Sequence, residues 1–458
     1  MLGRHAIVCG SSMAGLLTAG LLARHFERVT LVERDPLEDS AQPRKGVPQG
    51  VHTHILLRRG LDIAASIFPG LLEDLQAAGA QVMDMSADCE WHVAGIWRKR
   101  IHSGVSMYSQ TRPLFEWRVR SRLAALPNVR ILDGQEAASF LVSADGTSIR
   151  GLKIRAVGSD AETELEADLV VDASGRGSRT PQWMEGLGLP KVEETQLKVD
   201  VGYATRLYHR PAGFDPGWRA LILSAELPRI RRIGAILPVE GDRWTITLGG
   251  WLKDYPPTDD AGFLEYARTL VQPHLYEVLR GASPLGPASS YRFAHSQWRH
   301  YERLPRLLER LVVVGDAYCS FNPIHGQGIT TSALQVEWLG ECLRQGMNTL
   351  ARRYFEGAGS MLKGVWAMST TEDLRLPELD GVRPMGSGLA SWYGERFQRL
   401  TTKDDEAIQT FMQVMHMIKP PTAMFSPRLV LKTLMRQPVS SELARGPALP
   451  TQGEQQVA

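Results

Sequence analysis

HAIVCGSSMAGLLTAGLLARH, residues 5–25, runs from an apolar strand through a turn of small residues into a helix. Residues 6–9 are continuously apolar, and Leu16, Leu17 and Leu21 then recur at helical spacing. The turn between them gathers backbone N–H groups and a helix N-terminus at one point, which makes a site for an anion. Gly10 permits the tight turn, and Gly15 lets the helix lie close on the strand. Ser12 occupies the middle position of the pattern G-x-G-x-x-G, where backbone approaches a pyrophosphate. A serine fits there if its φ stays negative, and its hydroxyl can donate. A second strand, "VTLVE", ends in Glu33, 18 residues after Gly15, where a carboxylate takes ribose hydroxyls.

Residues 6–23 carry no formal charge and so imitate a signal peptide or a short membrane span. Gly10, Ser11, Ser12, Gly15 and Gly20 interrupt the apolar run, and the charged "ARHFER" leads straight into the second strand. The segment reads as β-turn-α-β, with no transmembrane segment expected and a cytoplasmic location. At 458 residues the chain is long enough for two or three domains with large cores. Its 43% apolar and 22% charged content is that of a soluble globular enzyme. A net charge of +2 argues against a general nucleic-acid binder. Cys9, Cys89, Cys319 and Cys342 form no C-x-x-C pair and no zinc spacing, which suits a reducing compartment.

Two further stretches repeat the theme of a buried strand ending at a ligand-type turn. "ADLVVDASGRGSRTPQWMEGLG", residues 167–188, ends its strand in Asp172 and continues through Gly175, Gly177, Ser178 and Arg179. "LERLVVVGDAYCSFNPIHGQGITTSALQVEWLGECL", residues 308–343, ends its strand in Gly315-Asp316 and reaches a helix from about Thr330. Open α/β sheets bind ligands at such carboxyl ends. Asp316 is placed to accept from ribityl hydroxyls, and Gly326, Gln327 and Gly328 bring N–H groups toward a developing anion.

With these three motifs in this order, the sequence resembles the class A FAD-dependent monooxygenases, related in fold to p-hydroxybenzoate hydroxylase. Within them it is most similar to bacterial polyketide and polyether flavin epoxidases, through "PRKGVPQGVHTHILLRRG" and "FNP…GQG", with "WAMSTTEDLRLPELDG" and "PPTAMFSPRLVL" further on. The resemblance implies an α/β fold: a Rossmann-like FAD-binding domain, an inserted antiparallel β-sheet substrate domain and a C-terminal helical region. The implied boundaries are 1–80, 105–190 and 296–345 for the FAD-binding parts. Residues 81–104 and 191–295 would form the substrate domain, 346–445 the helical region and 446–458 a disordered tail.

The resemblance also implies roles. Gly10, Ser12, Met13, Ala14 and Gly15 lie at the pyrophosphate, with Glu33 and Arg34 at the adenosine ribose. Arg44 reaches the adenosine or phosphate side, and Val47, Pro48 and Gln49 lie beside the isoalloxazine. Arg112, in "TRPLFEWRVR", neutralises phosphate charge, and Ala137 supplies backbone at the adenine. Asp172, Gly175 and Arg179 belong to the region used for FAD and NAD(P)H, although "DASGRGS" departs from the common "ADG". Asp316 takes the ribityl chain, and Pro323, Gly326, Gln327 and Gly328 flank the flavin ring.

His325 stands where related epoxidases carry an aromatic residue. It is the catalytic candidate, to protonate a peroxide oxygen or orient substrate, and is expected to be neutral beside a helix N-terminus. A packed ring capping the turn is the plainer alternative. His52 and His54 alternate, which on a strand puts both on one face, and packing near the flavin explains them better than metal ligation. Cys319, near Asp316, suggests a covalent flavin link, but a small buried cysteine is the better reading.

From about Gln196 to Leu252 the pattern alternates, with Gly241-Asp242 as a hairpin turn. This reads as an inserted sheet whose face roofs the substrate, with Tyr203, Arg206, Tyr208, Trp244, Thr247 and Trp251 as candidate lining. The methionine-rich "FMQVMHMIKPPTAMF" is core, the lining of a pliable pocket, or a membrane-surface element.

The implied activity is FAD-dependent monooxygenation of a small apolar natural product through a flavin C4a-hydroperoxide, by epoxidation or hydroxylation. It uses molecular oxygen, with NAD(P)H or a separate flavin reductase as electron source. Secondary metabolism, such as antibiotic biosynthesis, is the implied setting. A flavin-dependent prenyl or alkene reductase and a non-catalytic flavin-binding partner are the rivals. A halogenase is disfavoured because W-x-W-x-I-P is absent.

Overall fold

A computed structural model describes residues 1–383, 385–435 and 446–449. Five parallel strands form the first sheet, in the spatial order Leu311–Val313, Leu169–Asp172, Gly3–Cys9, Phe26–Val32, Val129–Leu132. Residues 6–9, 29–32, 169–171 and 311–313 of these strands are buried and, apart from Thr30, apolar, because helices cover the sheet. The helix Met13–Leu22 is buried along its whole length, and the helix Gly328–Arg344 packs against it. Register then does the decisive work. Cys9 pairs with Asp172, and Asp172 with Val313, so the turns after all three strands emerge side by side at one edge.

The second sheet has eight strands, ordered Cys319–Ser320, Ser289–Arg299, Glu194–His209, Arg243–Gly250, Arg232–Val239, Ala220–Leu223, Cys89–Val93, Ile96–Trp97. All its pairs are antiparallel except Ala220–Leu223 with Cys89–Val93. Gly241 and Asp242 adopt φ of +74° and +52°, which turns Arg232–Val239 back into Arg243–Gly250 as the alternation predicts. The helices Asp260–Arg268 and His274–Gly281 cover one face of this sheet with a core that includes Trp244 and Tyr208.

Four helices, Leu350–Asp373, Ser387–Leu400, Asp405–Met415 and Pro427–Leu434, follow in the C-terminal region. Two local expectations change. His52 and His54 follow a short 3-10 turn and lie outside any strand. Of the segment expected to be a disordered tail, Gly446–Leu449 docks: the Pro447 carbonyl lies 3.1 Å from His274 Nε2. The docking has a physical basis, because a buried histidine nitrogen gains a partner there. Residues 450–458 lie outside the described residues.

Candidate functional site

One cavity of about 1910 Å³ runs from the Gly10 turn, past Glu33 and Asp316, to Pro323 and His325, and on between the second sheet and the C-terminal helices. Ordinary small-molecule pockets reach roughly 1,000 Å³, so this space is large enough for two ligands.

At its entrance the turn has the geometry that a phosphate needs. Gly10 takes φ +97°, and a Cβ on Gly15 would stand 1.7 Å from the Gly10 carbonyl oxygen. Ser12 is the helix N-cap at φ −81°, so the missing middle glycine costs no strain. The Ser12 hydroxyl accepts from Arg112 Nη2 at 2.9 Å, which ties the turn to the helix Arg112–Ala124.

Glu33 accepts from the Ser11 N–H and hydroxyl, both at 2.8 Å, and from the Asp35 N–H at 2.9 Å. Burial opposes its ionisation, but the Asp35 N–H, the Arg44 charge and Ser11 outweigh burial and hold its pKa below the usual carboxylate range. Glu116 was not foreseen. It binds Arg44 through one oxygen and Arg112 through the other, at 2.9 Å for the latter. Spacing i, i+4 on its own helix links it to Arg112 and was legible; its pairing with Arg44 was not. Arg44 Nη1 lies 3.4 Å from Glu33 and 3.5 Å from Asp35, and Arg112 Nε is buried without a hydrogen-bond partner among the described residues. Both residues line the cavity. The unpartnered Arg112 nitrogen beside the N-terminus of the helix Met13–Leu22 fits a diphosphate.

Asp172 is occupied by its own loop. It accepts from the Ser174 N–H at 2.9 Å, the Thr180 hydroxyl at 2.6 Å, and the Ser178 hydroxyl. It shapes the turn that carries Gly175, Arg176 and Arg179, which line the cavity beside it. Asp316 is half-buried on the cavity wall, and no side-chain hydrogen bond occupies it among the described residues. Burial raises its pKa, and the charges of Arg176 and Arg112 offset this in part. Arg176, also unforeseen, binds Ser320 and lies 4.5 Å over the Phe293 ring.

Met13, Ala14, Arg34, Val47, Pro48, Gln49, Ala137, Pro323, Gly326 and Gly328 all line the same cavity. Gly15 and Gln327 do not: Gly15 packs behind the turn, and Gln327 caps the following helix. Cys319 lies outside the lining, 2% exposed, with its thiol pushed well up by burial. It is therefore unsuited to a covalent flavin link.

Of the six roof candidates, Tyr203, Thr247 and Trp251 line the cavity. Arg206, Tyr208 and Trp244 do not, which corrects that expectation. Side chains alternate along a strand, so Arg206 and Tyr208 point opposite to Tyr203, and Trp244 opposite to Thr247. Tyr208 and Trp244 belong to the core under the covering helices, and Arg206 pairs with Asp260 at 2.7 Å. From the C-terminal helices come Phe411 and Met415, which line the cavity, while Met412 is fully buried core. The methionine-rich segment therefore serves both purposes.

His325 lines the cavity with its Nε2 3.1 Å from Asp373 Oδ1. The same oxygen accepts from Asn322 Nδ2 at 2.9 Å and Trp251 Nε1 at 3.0 Å. Burial works against the charged imidazole, but Asp373 outweighs it and raises the pKa above the ordinary value. The expected lowering of its pKa is thus corrected: a carboxylate in contact acts more strongly than the dipole of a neighbouring helix. Asp373 ends the helix Leu350–Asp373 and was missed, although it falls in "WAMSTTEDLRLPELDG". By contrast, burial draws His52 down to about 4 and His54 to about 3. His52 Nδ1 lies 2.9 Å from the Thr205 hydroxyl. Among the described residues no group of three or more His, Cys, Asp or Glu is arranged to hold a metal, and no helix is long and apolar enough to cross a membrane.

A family model described as an FAD binding domain matches residues 4–353. Protein Rv3254 of Mycobacterium tuberculosis is 30% identical over 437 residues, which cover 86% of this chain and 90% of that protein. Among solved structures, p-nitrophenol 4-monooxygenase PnpA from Pseudomonas putida is similar at TM-score 0.62 and 16% identity, covering 90% of this chain and 97% of its own. PqsL of Pseudomonas aeruginosa, a probable FAD-dependent monooxygenase, matches at TM-score 0.61 and 14% identity, over 81% of this chain and 97% of its own. The flavin-dependent brominase Bmp2 matches at 0.63 and 13%, over 90% and 93%. At these identities the likeness is one of fold.

Proposed function

The chain belongs to the FAD binding domain family, and from that premise we propose that it is an FAD-dependent monooxygenase that epoxidises or hydroxylates an apolar natural product. The continuous cavity carries this reading, since a dinucleotide turn at one end opens into an apolar chamber at the other. The Gly10 turn, Arg44 and Arg112 hold the pyrophosphate, Glu33 the ribose and Asp316 the ribityl hydroxyls. Val47, Pro48, Pro323 and the Gly326 turn flank the ring. Bound there, FAD supplies the transfer of one atom of O₂ to substrate, the other leaving as water, with two electrons from NAD(P)H directly or through a separate reductase. Tyr203, Thr247 and Trp251 orient the substrate and exclude water. His325 holds a proton beside the cavity, with Asp373 fixing its ring. Four buried free cysteines suit a cytoplasmic setting. The likeness to a brominase is one of fold and does not carry halogenation over.

The purified protein is expected to release intact FAD on denaturation. With a reductant and candidate polyketides or isoprenoids, product should gain the mass of one oxygen atom. A gain of two hydrogens instead would make it a reductase, and substrate-independent NAD(P)H turnover with no product would leave a binding protein. Asp316→Ala should weaken FAD binding about tenfold to a hundredfold, the loss of a charged acceptor worth roughly 1.5–3 kcal/mol. Wild-type affinity in a fluorescence titration of that variant would remove Asp316 from the site.

A further inference from the structure

Among the described residues Arg98 is a buried cation with no counter-ion. It is 4% exposed, and its guanidinium lies against the edge-to-face pair Trp91 and Phe411, 4.2 Å from each centroid. Nε and Nη1 are buried without a hydrogen-bond partner among the described residues. Among the described residues its one side-chain hydrogen bond runs from Nη2 to Gln398 Oε1 at 2.7 Å. Acids on neighbouring segments are already engaged: Glu90 with Arg100 at 3.0 Å, Glu395 with Arg375 at 2.7 Å, Asp405 with Lys99 at 2.6 Å. A buried charge without a partner is costly, and two aromatic faces compensate it only in part.

Trp91, on the strand Cys89–Val93, and Gln398 and Phe411, on the C-terminal helices, all line the cavity. Gln398 must point its oxygen at the guanidinium, because arginine only donates. Its two amide N–H groups are therefore the ones left to face the chamber, polarised by the cation behind them. We propose that this part of the chamber binds the carboxylate of an otherwise apolar ligand, received by the Gln398 amide with Arg98 as the compensating charge. One cation matches one carboxylate, whereas a phosphate would bring up to two charges; of the charged side chains that line the cavity near Gln398, Glu395 is paired with Arg375, and Arg399 is exposed. The inference rests on reading the chamber as the substrate site, and it adds that the substrate is an acid.

Binding without turnover tests it. Decanoate and decan-1-ol share a chain and differ in the charged end, and calorimetric titration of FAD-saturated protein compares them. Wild type should bind decanoate about tenfold or more tighter than the alcohol, the scale of one charge-assisted hydrogen bond. Gln398→Leu and Arg98→Met should each bring the two ligands to parity while leaving the alcohol's affinity within about twofold. Gln398→Glu, which supplies the missing carboxylate, should reverse the preference and raise the unfolding temperature. Equal affinity in wild type, absence of decanoate binding, or a preference that survives Gln398→Leu would each overturn the proposal. Gln398 lies on the cavity wall, so its variants keep the test available if Arg98→Met does not fold. Should the protein prove to bind no FAD, the same ratio measured without it still judges the acid site and separates that failure from this one.

Discussion

Gly15→Ala is expected to destabilise the protein by about 3 kcal/mol or more, the upper end of overpacking costs, and to leave it without flavin. The added Cβ would stand 1.7 Å from the Gly10 carbonyl oxygen and 2.9 Å from its carbon. Both atoms are backbone, so no rotamer change relieves the clash. Either the helix Met13–Leu22 lifts from the central strand or the turn opens. All ten residues of that helix are buried, so lifting it strips packing along its length. Opening the turn displaces Ser12 and the hydroxyl that Arg112 holds. Gly186→Ala is the control, because nothing lies within 4 Å of its added Cβ. Urea unfolding followed by fluorescence, with flavin absorbance on the same samples, reads both effects. A Gly15→Ala protein that stays yellow and as stable as the control would separate this turn from the cofactor.

Asp373→Ala is expected to cost about 3–5 kcal/mol, the range for removing one partner of a buried ion pair. The carboxylate is fully buried, and three donors converge on its Oδ1: Asn322, Trp251 and His325. Truncation removes the acceptor of all three, and Asn322 is itself buried. Asp373→Asn is the informative companion, since its oxygen can keep those contacts while the charge is lost. The folded protein raises the pKa of His325 above its ordinary 6.5, burial opposing and Asp373 prevailing. The protonated pair therefore contributes its full stability below about 6.5, the unperturbed histidine value, and loses it as pH rises through the higher folded value. Denaturant unfolding between pH 5 and 9 should show that decline in wild type and a flatter profile in Asp373→Asn. In turnover assays the same variant, like His325→Phe, should keep FAD and its reduction but release more hydrogen peroxide per NAD(P)H. An unchanged pH profile would reduce His325 to a packed ring.

Arg206 and Tyr208 lie on the face of their strand that turns away from the cavity. Strand alternation already sets them opposite Tyr203. What alternation does not say is which face looks at the cavity. That depends on the helices Asp260–Arg268 and His274–Gly281 covering the other one.

By itself the sequence determined the strand–turn–helix order and the residues at each turn: Gly10 and Gly15, Glu33, Asp172, Asp316, and the run from Pro323 to Gly328. These are local matters of apolar period, allowed φ and a carboxylate ending a strand, and local patterns survive in a linear text. The tertiary structure alone decided which distant groups meet. Glu116 lies between Arg44 and Arg112, Asp373 holds His325 from 48 residues away, and Gln398 faces Arg98 across 300. Each of these polar pairings is made where burial has removed water as the alternative partner. A buried donor must be answered by whatever the packing brings within reach. That proximity is a property of the assembled layers, which no spacing along the chain encodes.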